Sequence, residues 1–212
     1  MVTRRAAGML VAVLAASAAH GASALQDGFD DVLRRTPDLD AGEKLYIRAC
    51  SGCHGAAGEG RLQGQIPRIA GQRYAVIVTE LVGFRLGRRA DGRMQQRASD
   101  HALSGPQGMA DVAAYAAQLS GGAIDRGPGN QTERGAQLYA NRCSACHGAV
   151  AQGNDRPAVP RLAGQNHGYL MRQLQDLIDG RRPAAARDHL EPLQSVDRDQ
   201  VRGIADYLSR LP

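Results

Sequence analysis

Two tandem all-α domains are the fold this sequence predicts, on three observations. The 212-residue chain repeats itself at a fixed offset of 93, the mark of a duplicated unit. Apolar residues recur at helical spacing, and neither copy shows a sustained alternating strand pattern. Large side chains are scarce: 43% of residues are hydrophobic, yet there are only 6 Tyr, 2 Phe and no Trp. Alanine supplies much of the apolar fraction and buries little area, so two small domains would have thin cores unless something else filled them. The 22% charged fraction is too low, and the apolar content too high, for a disordered chain.

The first 24 residues read as an export signal. Arg4 and Arg5 form a basic start, Gly8 to Ala19 an apolar stretch, and Ala22-Ser23-Ala24 a small-residue cleavage site. The apolar stretch is short for a membrane span, and no later segment reads as one, so the mature protein is expected to be soluble and outside the cytoplasm, with cleavage near Ala24. Cleavage removes two arginines and no acid from a formal charge of +5. The remaining excess is spread along the chain, with Lys44 the only lysine. Such a distribution argues against a nucleic-acid partner.

Within the repeat, Gly42, Leu45 and Tyr46 match Gly135, Leu138 and Tyr139. Pro67-Arg68-Ile69-Ala70-Gly71-Gln72 matches Pro160-Arg161-Leu162-Ala163-Gly164-Gln165, and Gly87-Arg88-Arg89 matches Gly180-Arg181-Arg182. Tyr115 and Leu119 correspond to Tyr207 and Leu211 after a one-residue slip. The spacing predicts a first helix from Gly42 to Ala49, repeated from Glu133. A second follows Gly164, with Leu170, Leu174, Leu177 and Ile178 on its apolar face. A last helix in each copy carries Val112, Ala113, Tyr115, Ala116 and Leu119, or Val201, Ile204, Ala205, Leu208 and Leu211. The Gly-rich segment 120–130 separates the copies, giving domains at 38–119 and 131–212.

Four cysteines in an exported chain first suggest two disulfides. Their spacing points elsewhere. Cys50-Ser51-Gly52-Cys53-His54 and Cys143-Ser144-Ala145-Cys146-His147 are one C-x-x-C-H pentad written twice, the attachment motif of c-type haem. Two thiols at this spacing reach the two vinyl groups of one porphyrin, and the following His lies under the iron as proximal ligand. A redox disulfide would sit at a strand-to-helix junction, absent here. A four-cysteine zinc site has no need of a His after each pair. Two covalently bound haem c groups are therefore expected, and each supplies the apolar mass that its domain lacks.

With both pentads, both P-R-[IL]-A-G-Q segments, both G-R-R segments and the Tyr-containing last helices, residues 38–212 resemble the two-domain dihaem c-type cytochromes of bacteria, especially the cytochrome c4 family. The resemblance implies two class I cytochrome c-like domains and a periplasmic electron carrier rather than an enzyme. It implies redox partners such as a quinol-oxidising complex, a terminal oxidase or a dehydrogenase, which would bring the soluble protein to a membrane only through them. His54 and His147 would be the proximal ligands, held at the other ring nitrogen by the carbonyls of Pro67 and Pro160.

The family usually places a distal Met after the second helix, and Met94 stands there in the first copy. Met109 spaces with Val112, Ala113 and Ala116 and reads as core, and His101 as a surface or packing residue. The second copy departs from the pattern. Segment 183–192 holds no Met, and Arg187 occupies the position equivalent to Met94. Met171 lies among core-facing leucines, and His167 reads as structural. His189, in the same loop, is the natural replacement on ligand chemistry and position. Ligation by another group or an open iron remain alternatives there. An open iron there could support peroxidase-like chemistry; a sulfur-compound-oxidising dihaem enzyme and a haem subunit of a dehydrogenase complex are further alternatives. Sulfur-oxidising relatives typically use a Cys as distal ligand, and all four cysteines here are taken by attachment.

Overall fold

The computed structural model describes residues 26–61, 65–182, 189 and 191–212. The export signal read at 1–24 and the Arg187 position lie outside the described residues. Two helical halves follow each other along the chain, built to one plan. Among the described residues, extended pairing is limited to two isolated bridges, Arg61 with Ile66 and Asn154 with Val159. These are equivalent positions of the two copies.

In the first half, helix α1 covers residues 26–33 and lays Val32 and Phe29 on the core. Helix α1 lies ahead of the domain start expected at residue 38 and is too short to show a period of its own. Helix α2 (Leu39–Ala49) begins at Asp38, whose carboxylate accepts from the N–H groups of Asp40 and Ala41 and so satisfies free donors of the first turn. Helices α3 (Ser51–His54), α4 (Tyr74–Arg85), α5 (Gly92–Arg97) and α6 (Asp100–Leu103) follow, and α7 (Gly105–Gln118) closes the half.

The second half repeats the plan with α8 (Thr132–Arg142), α9 (Ser144–His147), α10 (His167–Ile178) and α11 (Arg198–Arg210). Asp197 and Gln200 form a reciprocal capping box at the start of α11.

In each half the first and last long helices cross in contact, α2 on α7 and α8 on α11. Glycine permits that crossing. A Cβ on Gly42 would lie 2.3 Å from the Asp111 carbonyl oxygen, and one on Gly135 would lie 1.9 Å from that of Gly203. Beside each crossing a tyrosine pair packs at a tilt, Tyr46 with Tyr115 at 5.5 Å and Tyr139 with Tyr207 at 5.7 Å between ring centroids. Tyr115 and Tyr207, matched across the one-residue slip, thus make equivalent contacts in their own halves.

The first core gathers Tyr46, Val78, Val82, Leu103, Met109 and Val112; the second gathers Tyr139, Leu170, Leu177, Val201, Ile204 and Leu208. Helix α10 differs from its predicted face at two places. Ile178 is 38% exposed, because it is the last residue of the helix and the chain turns away at Gly180, whose φ is +69°. Gln173 is buried instead, and polar partners from both halves account for that below.

Segment 120–130 is extended chain fastened to the second half. Asp206 accepts from the N–H groups of Gly129 and Gln131, Ser209 Oγ from that of Gly127, and Asn166 Oδ1 from that of Asp125. No helix among the described residues is long and apolar enough to cross a membrane.

Candidate haem centres

Each C-x-x-C-H pentad sits on a single helical turn at a kink. Cys50 ends α2, where its N–H donates to Tyr46 O, and its carbonyl accepts from both Cys53 N (3.1 Å) and His54 N (2.9 Å). Cys143 repeats this with Cys146 (3.3 Å) and His147 (3.0 Å). Residues three and four apart share one face of a helical turn, so two thiols and an imidazole are presented together. The turn stops at Gly55 and Gly148, at φ +84° and +86°, a conformation open to glycine at little cost. The buried Tyr46 hydroxyl donates to Gly55 O at 2.7 Å, and Tyr139 does the same to Gly148 O.

Both histidines are buried, with 6% and 8% of their surface exposed. His54 Nδ1 donates to Pro67 O at 2.9 Å and His147 Nδ1 to Pro160 O at 3.0 Å. That bond commits the Nδ1 proton and leaves Nε2 with a free lone pair, the state a metal-binding imidazole needs. Burial lowers both pKa values, against the opposing pull of the proline carbonyls, and keeps the rings neutral.

The surroundings of Cys50 and Cys143 are unlike those of a reactive redox thiol. Burial pushes Cys50 up to about 12 and Cys143 up to about 11, whereas a reactive C-x-x-C thiol is held well below its ordinary value. The four cysteines form no disulfide. Among the described residues no group of three or more His, Cys, Asp and Glu could hold a metal, so the two pairs do not converge on one zinc.

Met94 lies on α5, partly buried against the first core. Asp91 caps that helix, accepting from the N–H groups of Arg93 and Met94. Arg93 and Asp91, on either side of the α5 start, act on the charge of His54 in opposite directions. Met109 is fully buried in the core and His101 is exposed. In the second half, the His189 and His147 rings stand 6.1 Å apart between centroids, tilted by 43°. A metal–imidazole bond is about 2.0–2.1 Å, so both rings could reach one metal held between them. Met171 packs partly buried against the second core. The donor sets therefore fit one haem per half: two thiols and a tautomer-fixed imidazole on a single turn, with a thioether or a second imidazole from a later segment.

Sequence reasoning passed over a second group of polar residues. Gln72 and Gln165 end the P-R-[IL]-A-G-Q segments, and each reaches into the other half. Gln72 binds the backbone of Arg161, and Gln165 that of Arg68. The G-R-R arginines converge likewise. Arg89 and Arg182, one from each copy, both bind the Glu80 carboxylate and Gln173 Oε1, and Arg89 also binds Tyr169 OH. The signal available in the sequence was their recurrence at the repeat offset, which carried no hint that the contacts cross between copies.

An all-α domain with a C-x-x-C-H turn under a buried, carbonyl-fixed histidine is a c-type haem domain, and this chain has two. The family model described as Cytochrome c matches residues 39–120 and again 132–212. Cytochrome c-552 of Acidithiobacillus ferridurans is 29% identical, over 76% of this chain and 73% of its own length. Cytochrome c4 of Stutzerimonas stutzeri is 27% identical, over 73% of this chain and 79% of its own. The thiosulfate dehydrogenase electron acceptor of Stutzerimonas stutzeri (strain A1501) is 33% identical over 49% of this chain and 47% of its own.

Among solved structures, reduced recombinant cytochrome c4 from Pseudomonas stutzeri superposes with a TM-score of 0.73 at 22% identity, over 84% of this chain and 100% of that one. Thiosulfate dehydrogenase from Marichromatium purpuratum matches with a TM-score of 0.67 at 30% identity, over 82% of this chain and 40% of the other. The chain belongs to the cytochrome c family. Within it, the protein is a dihaem, cytochrome c4-like electron carrier with two covalently bound c-type haems.

Proposed function

We propose that this protein is a periplasmic carrier of one electron per haem, with unlike axial ligands in its two domains, residues 38–119 and 131–212. In the first, Cys50 and Cys53 hold the porphyrin and His54 and Met94 are the ligands. In the second, Cys143 and Cys146 hold it and the ligands are His147 and His189. The 6.1 Å separation of the His147 and His189 rings is the observation that carries the unlike pair. The export signal read at residues 1–24 supports the compartment.

Bound haem supplies a one-electron couple, and the chain's own residues set its conditions. Pro67 and Pro160 hold the Nδ1 protons of the histidines, fixing ring orientation and ligand basicity. A thioether partner raises the potential of a haem relative to a second imidazole, so Met94 would give the first domain the higher potential and His189 the second the lower.

A redox titration followed by EPR tests this reading. The expected result is two one-electron waves, the lower one belonging to a bis-imidazole low-spin signal. Two identical waves, or a high-spin signal from either iron, would overturn the ligand assignment. A second reading, as the electron acceptor or a subunit for a sulfur-oxidising dehydrogenase, draws on the likeness to the thiosulfate dehydrogenase and to the acceptor protein. Fast reduction by such a dehydrogenase with its sulfur substrate, and none by a quinol-oxidising complex, would favour it. Turnover with peroxide would place the protein among enzymes instead.

A further inference from the structure

Gln72 and Gln165 make a crossed pair of amide clamps on the peptides that hold the proximal histidines. Gln165 Oε1 accepts from Arg68 N at 2.8 Å, and its Nε2 donates to Arg68 O at 2.8 Å. Gln72 Oε1 accepts from Arg161 N at 2.8 Å, and its Nε2 donates to Arg161 O at 2.9 Å. Each amide oxygen is also anchored in its own half, by Arg73 N for Gln72 and by Asn166 N for Gln165, both at 2.9 Å. Those two residues precede the first turns of α4 and α10, so both amides are held on rigid elements.

The grip falls on one particular peptide group. The unit joining Pro67 to Arg68 uses its carbonyl to accept from His54 and its N–H to donate to Gln165. The unit joining Pro160 to Arg161 does the same between His147 and Gln72. Hydrogen bonds in series polarise one another, so an occupied N–H makes its carbonyl a stronger acceptor. A stronger acceptor at Nδ1 raises the basicity of the imidazole at Nε2 and favours the more oxidised metal. Gln165 is buried, with 6% of its surface exposed, so water does not readily take its place.

We propose that Gln72 and Gln165 are positioning residues that tune the haem of the opposite domain: Gln165 lowers the potential of the first haem and Gln72 that of the second. Domain docking is then itself part of what sets each potential. The inference rests on His54 and His147 being proximal ligands, as argued above.

The test uses the isosteric but non-hydrogen-bonding Gln165→Met and Gln72→Met in the full holoprotein, read by redox titration and by the Nδ1–H NMR signals of His54 and His147. In Gln165→Met, the reduced-to-oxidised ratio of the first haem at fixed ambient potential should rise about threefold, with the His54 signal moving upfield and that of His147 unmoved. Gln72→Met should do the reverse. Gln165→Glu keeps the acceptor oxygen and should keep the His54 signal near its original position. Shifts confined to the mutated domain, equal shifts at both haems, or none would overturn the proposal; equal shifts would mark simple loosening of the interface. Failure of the underlying ligand assignment shows separately, as wild-type histidine signals lacking any haem-induced displacement.

Discussion

On the proposed ligand sets, one residue, His189, would distinguish the two haem centres. With His189 standing 6.1 Å from His147, His189→Met should bring the potential of the second haem up toward that of the first, read by redox titration. Met94→Ala should abolish the sulfur-to-iron charge-transfer band, and His189→Ala should leave it intact. Residues with covalent or ligand chemistry were the most legible ones in the sequence, because thiols and imidazoles at i, i+3 and i+4 have few other reasons to recur. His189 was proposed on the opposite signal, a missing methionine at a position that its repeat partner fills. Gln72 and Gln165 were not legible as clamps. An amide in a loop has no characteristic spacing, and its partners are backbone groups 89 and 97 residues away.

At the level of elements, the two crossings of first and last helices are the most demanding feature. Alanine favours a helix over glycine by about 1 kcal/mol, so on propensity alone Gly42→Ala and Gly135→Ala would stabilise. Packing reverses the sign. The added methyl would press on backbone carbonyls at 2.3 and 1.9 Å, and neither can move without shifting α7 or α11. A net loss of about 1–3 kcal/mol is expected for each, measurable as a lower denaturant midpoint with unchanged slope. Helical periodicity revealed α10 and the last helices because their apolar residues face one core. It failed at Ile178, where the helix ends, and at Gln173, which is buried through polar partners that no hydrophobic pattern records. Helix α1 escaped notice for want of length.

For the molecule as a whole, the Glu80 cluster joins the two halves. Burial alone would raise the Glu80 pKa, but Arg89 and Arg182 outweigh it and hold the carboxyl below the usual carboxylate range. A depressed folded pKa stabilises the docked state fully above the unfolded value of about 4.3 and loses that contribution as pH falls through the lower folded value. Thermal unfolding should therefore be a single transition at neutral pH and lose docking stability in strong acid. Glu80→Ala should lose about 1–3 kcal/mol of it already at pH 7, seen by calorimetry as two separating transitions. The duplication was plain from sequence, and so was the division into two helical domains. How the halves meet was hidden, since an offset repeat shows which positions correspond and says nothing about which ones touch.

The Glu80 cluster also makes the two halves non-interchangeable. Glu80 and Gln173 occupy equivalent places in the two copies, as do Arg89 and Arg182, so the seam holds two guanidinium groups against one carboxylate and one amide. Two first copies placed side by side would bury a second carboxylate there. Two second copies would enclose two arginines with no acid to meet them. Neither matches the native arrangement, so the seam distinguishes one half from the other. Halves that share one plan have become unlike partners, and the seam is matched only when one of each is present.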